Sequence, residues 1–547
     1  MNTDLITEHL DLWASAVTYN NGKPELTGIQ KLRELILELA VRGKLVPQDP
    51  EDEIASKLLE RIEEEKKRLY KEGKIKKPKK MPEITEEEKP FELPANWAWF
   101  RVGSLLSFEY GNSLPKKNRV ESGNVDVYGS NGIVGKHDEE VVSGTCIVIG
   151  RKGSVGALNI APGPSWITDV AFYVIPPEGV DLKFAFLLLS FLDLEELGKG
   201  IKPGINRNEA HHLVAVLPPT EEQQRIVEKV DELMALCDRL EQQTNDQINA
   251  HETLVDTLLD TLIRSQDATE LADNWARLAE HFDTLFTTEH SIDRLEQTIL
   301  QLAVMGHLVP QDPDDEPASK LLERVAAKKQ KQRSRRGKGN KYKNASDKPK
   351  PYQLPPGWEW CHFDDIGNLS RGKSKHRPRN DPWLFKNGFM PLVQTGDIAK
   401  PGRKIDTFTY LYNENGVEQS LVWPQGTLCI TIAANIGETG ILDFEACFPD
   451  SVVGFIPYES TIKNEYIEYF LRTAQKSLED FAPATAQKNI NLNILRDLLI
   501  PLPPITELNR IIDRVDELMT LCDRLKACLK EAEEIQSELA ESIVNRA

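Results

Sequence analysis

The stretch LAVRGKLVPQDPEDEIASKLLER, Leu39 to Arg61, returns as LAVMGHLVPQDPDDEPASKLLER, Leu302 to Arg324, and that return decides the fold. The copies are in register at an offset of 263 positions. LPANWAW (Leu93 to Trp99) likewise returns as LPPGWEW (Leu354 to Trp360), and VDELMALCDRL (Val230 to Leu240) as VDELMTLCDRL (Val515 to Leu525). The repeat unit is therefore about half the chain. Between the matched Trp and VDELM segments only a few positions align, and the second copy is 24 residues longer. Similar frames carry dissimilar inserts, the pattern of a duplicated scaffold whose modules do one kind of task on different targets.

Within the frame, Leu32, Ile36, Leu37, Leu39 and Ala40 make a helical stripe that stops at Gly43 and turns through Val46 and Pro47; its twin spans Leu295 to Val304. A further helix, about Ala55 to Leu69 and again Ala318 to Lys331, leads into basic tracts at Lys66 to Lys80 and Lys328 to Lys350. Both tracts read as solvated linkers, with contact to DNA phosphates as the alternative. After Trp99 the texture changes to short β-branched runs punctuated by Gly, Asn and Pro, such as CIVIG (Cys146 to Gly150) and CITIA (Cys429 to Ala433). A helical piece lies within each insert, FAFLLLSFLDLEEL in the first and NEYIEYFLRTAQKSLEDF in the second.

Each insert ends at a Leu-Pro-Pro step and gives way to a long helix. Thr220 with Gln223 predicts a capping box, weaker in the second copy where Thr506 is followed by Asn509. Ile226, Val230, Leu233, Cys237 and Leu240 open a heptad seam that continues through Thr244, Ile248, His251, Val255, Leu258 and Leu262. Its twin runs through Ile511, Val515, Leu518, Cys522, Leu525 and Leu529. Two like-patterned helices most simply bury these seams against each other, antiparallel, the other arrangement being each helix packed on its own module. The expected fold is α+β: two globular, mostly β modules joined by two long antiparallel, coiled-coil-like helices in a pseudo-two-fold internal repeat. The expected divisions are 1–96 (helical, with a basic linker), 97–217 (first module), 218–357 (long helix 220–265, a second helical segment and a basic linker), 358–502 (second module) and 503–547 (final long helix).

The length of 547 residues allows roughly three or four domains. Seven scattered cysteines without a C-x-x-C pair read as reduced core residues, not as a zinc site or disulfide framework. An acidic opening and the lack of a long apolar run predict a cytoplasmic protein with no membrane segment. The net charge of −19 argues against a sequence-independent coat for nucleic acid, because phosphate contacts must come from Lys and Arg.

No catalytic constellation emerges. GRKGSVG (Gly150 to Gly156) lacks the spacing of a phosphate-cradling loop, and Asn380, Asp381, Pro382, Trp383 is an incomplete version of a base-methylating motif. The acidic triplets Glu51, Asp52, Glu53 and Asp314, Asp315, Glu316 sit beside turn prolines, where solvated helix-start acids are commoner than metal ligands. Neither catalytic nor metal-ligating residues are assigned.

The inserts instead offer loop-borne side chains suited to base edges, since Arg and Lys suit guanine while Asn and Gln suit adenine. In the first these are Lys116, Lys117, Asn118, Arg119, Ser130, Asn131, Arg151, Lys152, Lys202, Asn206, Arg207 and Asn208. In the second they are Arg371, Lys373, Lys375, His376, Arg377, Arg379, Gln394, Thr395, Asn435, Lys488, Asn489 and Asn491. Six cationic or imidazole groups between 371 and 379 exceed what a neutral loop in an acidic chain needs. Two other readings compete: a coiled-coil scaffold that binds proteins and no DNA, and a nuclease with an unrecognised site.

TEEQQRIVEKVDELMALCDRLE after Leu217, Pro218, Pro219, its copy after Leu502, Pro503, Pro504, and the repeated VPQDP segments closely resemble the specificity subunit of type I restriction-modification enzymes over nearly the whole chain. GNSLPKKN, YGSNGIVGKHDE, GRKGSVGAL and GINRNEAHHLVAVLPP resemble that family's target recognition domains, as do QTGDI, NIGETGIL and NINLNILRDLLIPLPP, in an alignment that matches Gly153 to Gly437, Gly156 to Gly440 and Asn206 to Asn491. The resemblance implies a non-catalytic subunit in which each recognition domain reads one part of a split, asymmetric DNA target and helix length sets the spacer. It implies double-stranded DNA, two modification (methyltransferase) subunits and, through them, two ATP-driven restriction subunits as partners. No cofactor is expected in this chain; S-adenosylmethionine, ATP and magnesium are expected on the partners.

Overall fold

The computed structural model describes residues 6–20, 23–75, 77, 80–198, 204–265, 268–334, 350–400, 402–433, 435–480 and 490–546. The chain divides into two compact units, one of Met1–Ile248 with Ala532–Ala547 and one of Asn249–Glu531. The long helices, Thr220–Ile263 and Ile505–Arg546, have 44 and 42 residues, roughly 65 Å each at 1.5 Å per residue. Each unit holds the opening of one and the close of the other, so the two run antiparallel.

In the first unit the scaffold helix Thr27–Val41 buries Leu32, Leu35, Ile36 and Leu39 in one core with Ile226, Val230, Leu233 and Cys237 of the first long helix and Ala540 of the second. Arg33 reaches Asp238 and Glu241, both at 2.8 Å, while Lys31 reaches Glu541 at 2.9 Å. The second unit repeats this with helix Glu289–Met305: Arg294 meets Asp256 at 2.6 Å, and Lys526 meets Asp293 at 2.7 Å and Glu296 at 2.8 Å. Such part-exposed pairs contribute under about 1 kcal/mol each, whereas a buried Leu or Ile contributes ~1.5–3 kcal/mol. The apolar core therefore sets the packing. The heptad seams, read as closing on each other, share their cores with a third helix in each unit. Ile511, Val515 and Cys522 are buried there, and Leu240, Leu518 and Leu525 are half-buried. Further along, Leu259 takes the buried place that the heptad count gave to Leu258.

Each module enters and leaves its frame through one antiparallel ribbon, Ala98–Arg101 with Val214–Leu217 and Glu359–His362 with Leu499–Leu502. An insert rooted this way can change without disturbing the frame. The first module's main sheet runs Glu109–Tyr110, Ala171–Val174, Cys146–Gly150, Leu158–Ala161, beside a smaller sheet of Ile133–His137, Val125–Tyr128 and Ser165–Ile167. The second module's sheet has the same order, Gly367–Arg371, Val452–Pro457, Leu428–Thr431, Thr439–Leu442, extended by Lys404–Ile405. A four-stranded sheet of Tyr410–Tyr412, Met390–Leu392, Ala446–Cys447 and Val422–Trp423 completes it.

The root of each module is one repeated set of contacts. Glu222 and Glu507, 0% and 1% exposed, accept from Gln48 Nε2 (2.5 Å) and Gln311 Nε2 (3.1 Å). Beside them Arg225 pairs with Asp52 (2.5 Å) and Arg510 with Asp315 (2.7 Å). Trp358 Nε1 donates to Glu507 Oε2 at 3.0 Å. Its twin Trp97 lies beside Glu222, but among the described residues its Nε1 closes no hydrogen bond. Burial pushes both glutamate pKa values up despite these partners. The acidic triplets thus serve as scaffold ion-pair partners, with Glu53 on Arg61 and Glu316 on Arg324 as well. Gly43 and Gly306 end the scaffold helices at φ +69° and +77°, where a Cβ would lie 2.6 Å from Pro94 Cγ or Pro355 Cγ.

Three local expectations need correction. The capping box at Thr220 does not form: Thr220 Oγ1 donates to the Gly179 carbonyl (3.0 Å), while Gln223 Oε1 accepts from Asp181 N (2.7 Å) and Nε2 donates to Pro218 O (3.1 Å). A stronger use has displaced the local one, because these bonds stitch the helix start to the module. The basic tracts begin inside helices Ala55–Lys71 and Ala318–Ser334. There Lys66 Nζ donates to the Ser104 carbonyl at 2.5 Å, and Lys329, 3% exposed, meets Asp364 at 2.9 Å and Asp365 at 3.1 Å. Residues 335–349 of the second tract lie outside the described residues. All seven cysteines are free, but Cys528 is exposed where a core position was expected.

Candidate nucleic-acid interface

Strand register aligns the two inserts where their sequences do not. Ile149 pairs with Phe172 and Leu158 as Ile430 pairs with Val453 and Thr439. Tyr110 opposite Phe172 therefore matches Arg371 opposite Val453. The following loops are of equal length and closed alike: Gly156 N donates to Gly150 O (2.9 Å) and Gly437 N to Thr431 O (3.0 Å). Ile205 N and Ile490 N then donate to the carbonyls of Arg151 (3.0 Å) and Ile432 (2.9 Å). The glycine match is corrected accordingly: Gly156, at φ +78°, is the twin of Gly437, at φ +82°, while Gly440 lies within strand Thr439–Leu442. Arg151 matches Ile432, and Asn435 matches Ser154.

In the first module Lys116, Lys117 and Asn118 form one exposed helical turn. Arg119 is half-buried and donates through Nη1 to Val134 O at 2.8 Å, laying this tract along the hairpin whose tip holds Ser130 and Asn131. That tip meets the glycine loop, since a Cβ at Gly153 would lie 3.3 Å from Ser130 Oγ. Lys152 bridges to Gly204, which brings Arg151 and Lys152 beside Asn206, Arg207 and Asn208. Three stretches distant in sequence thus converge on one edge. Asn206 has a structural use there: it caps helix Arg207–His212, Oδ1 accepting from Asn208 N at 3.0 Å. Asn491 does the same for Leu492–Arg496 through Asn493 N at 3.2 Å. Lys202, Lys488 and Asn489 lie outside the described residues.

The cationic run of the second module splits by role. His376 Nε2 meets Asp381 Oδ2 at 2.9 Å, Arg379 meets Asp450 at 2.5 Å, and Arg377 Nη1 donates to the Ser374 and His376 carbonyls, each at 2.8 Å. The Trp383 backbone N–H, with His376, holds the Asp381 carboxyl below its ordinary range. Arg371 and Lys375 are exposed and Lys373 half-exposed, and among the described residues their side chains make no ion pair. Gln394 is exposed, with its backbone N–H donating to Asp397 Oδ2 at 2.9 Å. Together with Ser374, Arg379, Thr395 and Tyr412 it lines a recess of about 180 Å³. Asn435 is exposed on its loop, its carbonyl accepting from the Thr431 hydroxyl.

Residue type alone left out the exposed aromatics: Tyr110 and Phe191 in the first module, and Trp383, Phe389, Phe408 and Tyr410 in the second. An apolar ring left in water beside cationic loops was the available signal. Among the described residues no group of three or more His, Cys, Asp or Glu is placed to hold a metal ion, and no helix is long and apolar enough to cross a membrane.

Two cation-bearing modules on a duplicated helical frame define a two-headed recognition protein. A family model described as the type I restriction modification DNA specificity domain matches residues 94–250 and 355–536. The specificity subunits of the type I restriction enzymes EcoAI and EcoEI from Escherichia coli are each 36% identical to the chain, with 99% of both partners covered. A solved chain from a type I R-M system, in a study of its complex assembly and conformational transition, is 17% identical with a TM-score of 0.50, covering 84% of this chain and 98% of its own. The chain belongs to the type I restriction-modification specificity subunit family, whose role is DNA recognition and not catalysis.

Proposed function

We propose that the two modules read the two halves of one asymmetric, interrupted duplex target, while the antiparallel helices set the gap between the halves and dock two modification subunits, which in turn carry two restriction subunits. The observation that carries this is the pairing of matching roots with unlike edges: Glu222 and Glu507 each keep the corresponding glutamine as partner, whereas the register-matched edge residues differ. A frame that repeats while its edges diverge suits two different words held at one spacing. The loops enter successive major grooves about one turn of duplex apart, the 97–217 and 358–502 inserts each act as a recognition domain, and the assembly works on DNA in the cell interior. Long-read detection of methylated adenine in a host carrying the complete system tests it. Two dissimilar half-sites at a fixed gap are expected, and methylation confined to one uninterrupted palindrome overturns the proposal. Removing seven residues from the first long helix should change the gap and leave both half-sites unchanged.

A further inference from the structure

Tyr110 is 46% exposed, yet it is held by its strand and by neighbouring rings at the first module's edge. Its strand pairs with Ala171–Val174, and its ring lies 4.9 Å from that of Phe172, which is fully buried and 5.8 Å from Phe108. Two guanidinium groups rest over this ring, Arg151 with Cζ 5.1 Å and Arg207 with Cζ 4.9 Å from its centroid. They come from positions 56 apart in sequence, and the loop contacts at Arg151 O and Gly204 bring them together.

Both arginines keep donors in reserve. Arg151 gives one Nη1 bond to the Asp169 carbonyl (3.1 Å), and Arg207 forms a long, part-exposed ion pair with Glu109 at 3.9 Å, without a hydrogen bond. An arginine held over a ring can still use its in-plane N–H donors and has already lost much of the rotamer freedom that binding would otherwise cost. Two parallel donors held edge-on match the O6 and N7 acceptors of guanine in the major groove. The register-matched positions of the second module are Arg371, Ile432 and Leu492, so this arrangement belongs to the first module.

We infer that Tyr110 is a positioning residue that holds Arg151 and Arg207 as a preset guanine-reading pair, so that the half-site of the first module contains at least one G·C pair read through it. This rests on the reading of the modules as DNA-recognition domains. The test is long-read methylation mapping of hosts carrying the complete system with wild-type chain, Y110F, Y110L, R151K or R207Q, alongside thermal melting of each purified chain with its modification subunits. Y110F keeps an aromatic ring and should preserve the half-site. Y110L, R151K and R207Q should each lower the preference for guanine at one or two positions of that half-site about tenfold or more, with the other half-site unchanged as the internal control for folding. R151K is the sharpest arm, because it keeps the charge and removes the planar fork. An unaltered half-site in Y110L and R151K, a first half-site built of A·T pairs alone, or loss of both half-sites together in variants that melt normally would each overturn the inference. A wild-type chain that directs no bipartite methylation would instead overturn the reading beneath it.

Discussion

Gln48, Trp97 and Glu222 meet at the root of the first module as Gln311, Trp358 and Glu507 meet at the root of the second, yet their edges present different chemistry. Where the first has Tyr110 with Arg151 and Arg207, the second has Arg371, Ile432 and Leu492. The roots are buried. A polar group there that lacks a partner costs roughly 1–3 kcal/mol, and the glutamine on each glutamate and the Arg–Asp pair beside it recur in both roots. The edges face water, where substitution costs little and only a ligand gives a side chain a reason to be what it is. Burial therefore separates what holds a module from what the module reads.

The largest effect should come from Gly306→Val. The φ of +77° disfavours a β-branched residue, and the new Cβ would meet Pro355 Cγ at 2.6 Å and Trp358 Cζ2 at 2.9 Å. A loss of about 3 kcal/mol or more in denaturant unfolding is expected. Gly73→Ala provides the contrast, with a similar φ of +73° and nothing within 4 Å. Only the backbone cost of about 1–2 kcal/mol should appear there, and equal losses would show that the root packing contributes nothing.

The two tryptophans sharpen the comparison. Trp358→Phe leaves Glu507 Oε2 without its donor and should cost roughly 1–3 kcal/mol beyond the lost packing. Trp97→Phe should carry a smaller extra cost, because the Trp97 indole lies beside Glu222 without closing a hydrogen bond of normal length. Identical calorimetric shifts for the pair would mean the two roots are equivalent.

At the edges, Arg371→Ala should weaken binding of the assembled complex to its target duplex about tenfold, roughly 1.4 kcal/mol, and flatten the salt dependence. Arg379→Ala should change binding less, since that guanidinium already serves Asp450 at 2.5 Å. Fluorescence anisotropy across a salt series separates the two, and the reverse ranking would reassign the reading face.

The smallest effect concerns pH. Burial raises the Glu507 pKa above the ordinary 4.5, so the folded chain holds this proton more tightly than the unfolded one. Its contribution is therefore most favourable below that ordinary value and is lost as pH rises through the folded pKa. Thermal melts between pH 4 and 8 should fall less steeply for Glu507→Gln than for the parent chain, and parallel curves would contradict it.

Much of the fold was legible because periodicity and repetition are local: the scaffold stripe ending at Gly43, the Leu-Pro-Pro exits and the heptads all show in consecutive residues. The capping box misled because Gln223 takes partners from 179 and 181, which no local rule can anticipate. The glycine alignment slipped by three positions because spacing was matched without strand register. In the site, residue type named all the cations alike, and nothing local distinguishes Arg151 and Arg207, stacked on Tyr110, from His376 and Arg379, which meet Asp381 and Asp450.

The sequence by itself determined the duplication, the two-module plan and the family, since these rest on order along the chain. Only the tertiary structure decided which cations stay available to a ligand and that Tyr110 lies beneath two of them. Those outcomes depend on which distant segments the strands bring within a few ångströms, and the cost of an unpaired buried charge is settled by neighbours in space.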